Sequence, residues 1–191
     1  DWSSDVCSSD LVAALGSAVA YYMDEKQPLL DWKMWARRAY YAHVGAVIGI
    51  VIMMLWILLN HHYEYKYAFD HLNNSMPLKY IFSCLWEGQE GSFILWIFWH
   101  AILSILVIRT AKEWESRVMT VIASVQVFLA SMLLGVYFGD FQFGSDPFIL
   151  LRDMVSNAEL PWVKNPEYLS LPTFQDGKGL NPLLQNYWMT I

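Results

Sequence analysis

Residues 39–59 read AYYAHVGAVIGIVIMMLWILL, with His43 as the only strongly polar side chain in the run. A helix needs about 20 apolar residues to cross the ~30 Å hydrocarbon core of a bilayer, and this run meets that length. Residues 118–139 (VMTVIASVQVFLASMLLGVYFG) also meet it, with Gln126 as their polar exception. Residues 92–108 (SFILWIFWHAILSILVI) are slightly short and carry His100 near the middle. Residues 11–23 are too short alone and read as the surviving half of a first span. The expected fold is therefore an all-α polytopic membrane helix bundle of about four spans, with irregular segments outside the membrane.

Composition agrees. The 191 residues are 56% hydrophobic, 16% aromatic and only 16% charged, and the mean hydropathy is +0.29. A soluble domain is usually about 45–50% apolar and about 25% charged. The same numbers exclude a disordered chain. A formal charge of −6 argues against a nucleic-acid partner.

The first eleven residues, DWSSDVCSSDL, stand apart. They show no helical or strand period, no basic n-region and no apolar h-region. The string resembles the one-frame translation of a common short-read sequencing adapter, so residues 1–11 are expected to be non-native. Without Asp1, Asp5 and Asp10 the formal charge becomes −3. Without Cys7 no disulfide to Cys84 is expected. Residues 12–139 are then the membrane region, with an outer loop at 60–91, and residues 140–191 form a second outer segment. The sequence stops inside an apolar stretch, YWMTI, and reads as the front part of a longer membrane protein.

The connecting segments set orientation. Residues 24–38 and 109–117 carry seven Lys or Arg in 24 positions, whereas residues 60–91 and 140–191 carry five in 84. The positive-inside rule places the two short basic loops in the cytoplasm and the long segments on the opposite side. Tyr and Trp cluster at the span ends, as an interfacial aromatic belt requires.

In the first outer segment, Tyr63, Tyr65, Tyr67 and Phe69 alternate with other residues, a period of two that predicts a short extended piece. Ser75 is a candidate N-cap for a helix over 78–86, which Gly88 and Gly91 then break. The second outer segment holds five of the seven prolines, which preclude long regular elements. Phe148–Val155 suits a short amphipathic helix. Residues 176–179 (DGKG) form a turn signal, and Asn181-Pro182 fits an N-cap followed by Pro at the first helical position, starting a helix over 183–189.

The most unusual string is WEGQEGSFILW at 86–96. Two readings stand. Acidic side chains and Ser92 could merely cap a helix start. Alternatively, Gln89, Ser92 and the glycine amides make a polar platform beside Trp86, Trp96 and Trp99, which could stack on a flat ligand.

This string is similar to the W-x-G-Q-E-G-S-x-x-x-W signature of the cytochrome c-type biogenesis haem-lyase family, the CcmF/CcsA-type membrane proteins. Trp86, Gly88, Gln89, Glu90, Gly91, Ser92 and Trp96 carry the match. The tail DGKGLNPLLQ resembles that family's second signature, D-G-x-G-L-N-P-x-L-Q, through Asp176, Gly177, Gly179, Leu180, Asn181, Pro182 and Gln185. Order and separation fit as well, and the resemblance covers residues 12–191. Glu87 departs from it, because many relatives carry a small residue there.

The resemblance implies a multi-pass protein of the bacterial inner membrane that handles haem and delivers it to apocytochrome c on the periplasmic side. The implied partners are the lipid bilayer, apocytochrome c and a haem carrier or other maturation proteins, and the implied activity is of the haem-lyase type. The family's haem ligands are expected beyond residue 191, starting with a His-Pro-Pro motif, so this segment alone is expected to be inactive. No catalytic residue and no metal ligand is assigned within it.

None of the five histidines matches a family ligand. His43 and His100 lie inside spans, where ionisable residues are functional hypotheses by default. They, with Trp99, are the candidate haem-contacting residues. The competing reading has each histidine neutral and hydrogen-bonded to a neighbouring helix, and Gln126 separately as interhelical glue. A rival function is a haem b-binding or transport-type subunit of a respiratory complex.

Overall fold

The computed structural model describes residues 2–27, 31–138, 141–157 and 159–185. Its elements are α1 (Trp2–Lys26), α2 (Trp32–Leu59), α3 (Lys66–His71), α4 (Leu78–Glu87), α5 (Gln89–Thr110), α6 (Glu115–Ser131) and a small hairpin, β1 (Val136–Phe138) with β2 (Phe141–Phe143). Single 3₁₀ turns follow in the second outer segment. The chain divides into two compact units, one of residues 1–51 and 93–145, the other of residues 52–92 and 146–191.

The first unit is helical. By length and composition, α2 and α5 are each apolar enough to cross a membrane. At about 1.5 Å per residue, the 28 residues of α2 exceed the thickness of the hydrocarbon core. The helices are tied by a few polar links inside an apolar core. Ser17 Oγ on α1 donates to the Ala36 carbonyl on α2 at 3.1 Å. Gln126 Nε2 on α6 donates to the Ile97 carbonyl on α5 at 3.0 Å and lies 2.9 Å from His43 Nε2 on α2. Tyr21, Tyr40, Ile94, Ile97 and Met119 fill the space between, each under 2% exposed. In a bilayer, whose lipid tails are as apolar as these side chains, packing and interhelical hydrogen bonds would carry the association.

Two expectations change here. The predicted span over 118–139 is helical only to Ser131, and α6 has 17 residues. Beyond it Gly135 takes φ 58°, and Val136, Tyr137 and Phe138 pair antiparallel with Phe143, Gln142 and Phe141. Both strands are made of β-branched and aromatic residues that favour a pleated surface as readily as a helix, plus Gln142. Gly139 and Asp140 lie outside the described residues. At the other end, residues 2–11 continue α1 without a break, although their sequence shows no helical period. Helix propagation from an existing turn costs far less than nucleation.

The second unit is built on short elements. Leu151, Tyr168 and Phe174 form its aromatic core, with Phe69 and Trp162 packed against them. The Phe69 and Phe174 rings lie 5.7 Å apart. The expected extended piece at 63–69 is instead mostly α3, so Tyr67 and His71 stand one turn apart. The helix expected over 148–155 is two 3₁₀ turns, Leu151–Asp153 and Val155–Asn157. The helix over 78–86 forms as α4, but Ser75 does not cap it: its hydroxyl donates to Asn73 Oδ1, and Pro77 occupies the N-cap. Gly88 ends α4, whereas Gly91 lies inside α5.

Candidate functional site

Tyr67 organises the first signature. It stands on α3, and its hydroxyl donates toward the Cys84 and Leu85 carbonyls at 2.8 and 3.2 Å, the exposed end of the α4 ladder. The same oxygen accepts from the Gly88 amide at 3.2 Å. Backbone and phenol therefore meet where α4 turns into α5, and only glycine fits. A Cβ on Gly88 would sit 2.6 Å from the Tyr67 ring, and one on Gly91 would overlap the Leu85 carbonyl and the Tyr67 hydroxyl. Ser92 Oγ donates back to the Trp86 carbonyl at 2.9 Å, so it holds the elbow rather than capping free amides. Burial pushes the Tyr67 hydroxyl well above the usual phenol range. It pushes the Cys84 thiol up to about 12, with Glu87 adding to the shift.

The second signature closes over the loop that follows α3. Asp176 Oδ1 accepts from the Asn74 and Gly177 amides at 2.8 and 2.9 Å. The Lys178 amide donates to the Phe69 carbonyl at 2.8 Å and the Gly179 amide to the Leu72 carbonyl at 2.9 Å. Lys178 Nζ reaches Asp70 Oδ1 at 2.6 Å. Burial pushes the Asp70 carboxyl up, but Lys178 and Lys66 outweigh it and hold the group below the usual carboxylate range. A Cβ on Gly177 would overlap the Leu72 carbonyl. Gly179 has φ +84°, a left-handed conformation that other residues rarely adopt.

One side chain joins the two signatures. Glu87 Oε1 accepts from the Asn181 amide at 2.9 Å. Asn181 Oδ1 in turn accepts from the Leu183 amide at 3.0 Å, and Pro182 takes the first position of the turn, as the sequence predicts. That turn is 3₁₀ over Pro182–Leu184, and residues 186–189 of the expected helix lie outside the described residues. Leu180 is buried, and Gln185 Nε2 donates to its carbonyl at 2.9 Å. Asp146 borders the same unit, with its carboxyl raised by burial and by the nearby Glu90.

The structure thus brings Trp86, Gly88, Glu90, Gly91 and Ser92 into one unit with Asp176, Gly177, Gly179, Leu180, Asn181, Pro182 and Gln185. Gln89 and Leu183 are exposed on it. Trp96 and Trp99 belong to the other unit and are 58% and 53% exposed. Sequence reasoning missed Tyr67, hidden in an apparent strand period, and Glu87, read as a mere departure. The His71 ring stacks on Tyr67 at 4.3 Å, and its Nδ1 lies 2.8 Å from the Tyr67 carbonyl.

The two histidines of the long apolar helices have different surroundings. His43 is fully buried, and its Nε2 is engaged by Gln126. Its Nδ1 lies 2.7 Å from Asp10 Oδ1, out of line for a hydrogen bond. Asp10 belongs to the adapter-like stretch and is assigned no role. His100 lines a cavity of about 270 Å³ with Leu103, Ser104, Val121 and Val125. That is below the roughly 300–1,000 Å³ usual for small-molecule sites.

Comparison with known proteins finds similarity to curated cytochrome c-type biogenesis proteins. The chain is 25% identical over 166 residues to the cytochrome c-type biogenesis protein CcmF of Pseudomonas aeruginosa, covering 84% of this chain and 21% of that protein. It is 25% identical over 134 residues to the Haemophilus influenzae CcmF, covering 70% and 17%. The figures for the Pseudomonas fluorescens protein are 22% over 165 residues, covering 84% and 21%. The chain spans about a fifth of the length of these curated relatives. No family model and no solved structure matches it. With both signatures in order and folded together, the chain is a distant relative of the CcmF-type cytochrome c biogenesis proteins.

Proposed function

We propose that this chain is part of a multi-pass inner-membrane protein that matures c-type cytochromes, handling haem and delivering it to apocytochrome c. In this reading α1 and α6 cross the membrane with α2 and α5, and the unit of residues 52–92 and 146–191 faces the periplasm. The observation that carries it is the Glu87–Asn181 contact at 2.9 Å, which joins two signatures more than eighty residues apart in one folded surface. Each signature glycine is used for close approach or a left-handed turn, which supports the motifs as parts of one device. Apocytochrome c and a haem carrier are the partners this surface would meet, through Gln89 and the turn at Pro182. Any haem ligands would come from elsewhere in the full-length protein, in line with His43 being buried and engaged by Gln126.

The test uses a full-length protein carrying this segment. With Gln89→Ala and Leu183→Ala together, covalent haem in c-type cytochromes should fall at least tenfold while the protein still accumulates in the membrane. Normal haem attachment in that variant would reduce the signature to a structural device.

A further inference from the structure

One end of the first unit is a stitched basic surface. Glu115, at the start of α6, is buried and takes Arg37 through two hydrogen bonds at 2.7 and 2.6 Å, with Lys33 Nζ at 3.3 Å. Tyr21 donates to the same carboxylate at 3.2 Å. Ser116 Oγ donates to Asp24 Oδ2 at 2.5 Å, and Arg117 Nε reaches Glu25 Oε1 at 3.2 Å. These links gather the end of α1, the start of α2 and the loop between α5 and α6 at one place. Glu115 spends its charge on Arg37 and Lys33 in the interior, so it does not offset the cations on the outside.

Around this clamp stand three pairs of one kind. Lys26 lies over the Tyr22 ring at 5.6 Å, Arg38 over Trp35 at 5.3 Å and Arg117 over Trp114 at 5.6 Å. The rings are 50%, 59% and 64% exposed. Arg38, Arg109 and Lys112 are exposed as well. An exposed amphipathic ring suits the headgroup level of a bilayer, and a cation held over it sits where a lipid phosphate lies.

We propose that this end of the helical unit is a binding surface for anionic phospholipid headgroups. Charge complementarity selects the occupant. Lys26 over Tyr22 and Arg38 over Trp35 each present an apolar face to the ester region and a cation to the phosphate, Arg117 over Trp114 is shared with Glu25, and Arg109 and Lys112 add positive charge beside them. Zwitterionic lipids offer the same phosphate but bring their own cation, which competes. The inference rests on α2 and α5 being membrane spans.

The experiment reconstitutes the 191-residue chain into phosphatidylcholine vesicles with and without phosphatidylglycerol. Native mass spectrometry then counts the lipids retained after extraction. Phosphatidylglycerol should be enriched several-fold over its share of the bilayer. Arg38→Gln with Arg109→Gln should remove most of that enrichment, since one basic residue at an anionic surface is worth about fivefold, and raised salt should weaken it. Insertion with equal retention of both lipids, or enrichment unchanged in the double variant, would overturn the proposal alone. Failure to insert in either vesicle would overturn the membrane reading and the proposal with it.

Discussion

Glu87 Oε1 accepts a hydrogen bond from the Asn181 backbone amide at 2.9 Å, and this bond links the two signature strings. Its position gives the acid a structural role. The carboxylate supplies an acceptor that a small side chain cannot. Glu87→Ala should therefore loosen the turn at Pro182 by about 1 kcal/mol, the usual net worth of such a bond. Hydrogen exchange at Asn181 should speed up roughly fivefold, and Glu87→Gln should restore most of the protection.

Gly91 and Gly177 are predicted to be far less tolerant. Each faces a backbone carbonyl, of Leu85 and Leu72 respectively, so an added methyl meets a neighbour that cannot rotate away. Gly177→Ala should destabilise the second unit by about 3 kcal/mol, the upper end for overpacking. Lys178→Ala, one position along, should cost under about 1 kcal/mol because its ion pair is exposed. Thermal unfolding in detergent compares the two.

The Asp70 carboxyl carries a pH signature. Its ionised form is favoured in the fold by Lys178 and Lys66, against the opposing effect of burial. A lowered folded value stabilises above the unfolded-state pKa and is lost as pH falls through the folded one. Lys178→Met should raise the Asp70 midpoint and move the onset of acid loosening to higher pH. Carboxyl-resolved NMR titration measures the shift.

Cys84 should be inert. It is fully buried, and its thiol is pushed up to about 12. At pH 8 almost no thiolate exists to react. Maleimide should label it slowly in the folded protein and rapidly after denaturation.

Gln126→Leu should remove the hydrogen-bonded link from α6 to His43 and Ile97. Interhelical hydrogen bonds in membrane proteins average about 0.6 kcal/mol and reach about 1.7. The loss of stability should fall in that range, read as a lowered unfolding midpoint in detergent.

Much of this was legible in the sequence, for identifiable reasons. Hydropathy alone marks α2 and α5, since nothing but a long apolar helix fits those runs. Asn181-Pro182 announces its turn because both residues bias the backbone directly. Gln126 could be read as glue because it is the one strongly polar residue in its run. The end of α6 was not legible, because Val136–Phe138 is as apolar as the helix before it and period carries no information there. Tyr67 was hidden for the opposite reason: an alternating aromatic pattern over 63–69 mimics a strand, and tertiary contacts with Cys84, Leu85 and Gly88 favour a helical turn instead. The clasp between the signatures was invisible, since no local rule links Glu87 to Asn181 across the intervening span.

The most direct measurement replaces the matching stretch of the Pseudomonas aeruginosa CcmF with residues 12–185 of this chain, in cells lacking their own copy, and quantifies haem covalently bound to c-type cytochromes. The account predicts that haem attachment is restored and that adding Gly177→Ala abolishes it. A chimaera that accumulates in the membrane at the native level yet leaves c-type cytochromes without haem would contradict it.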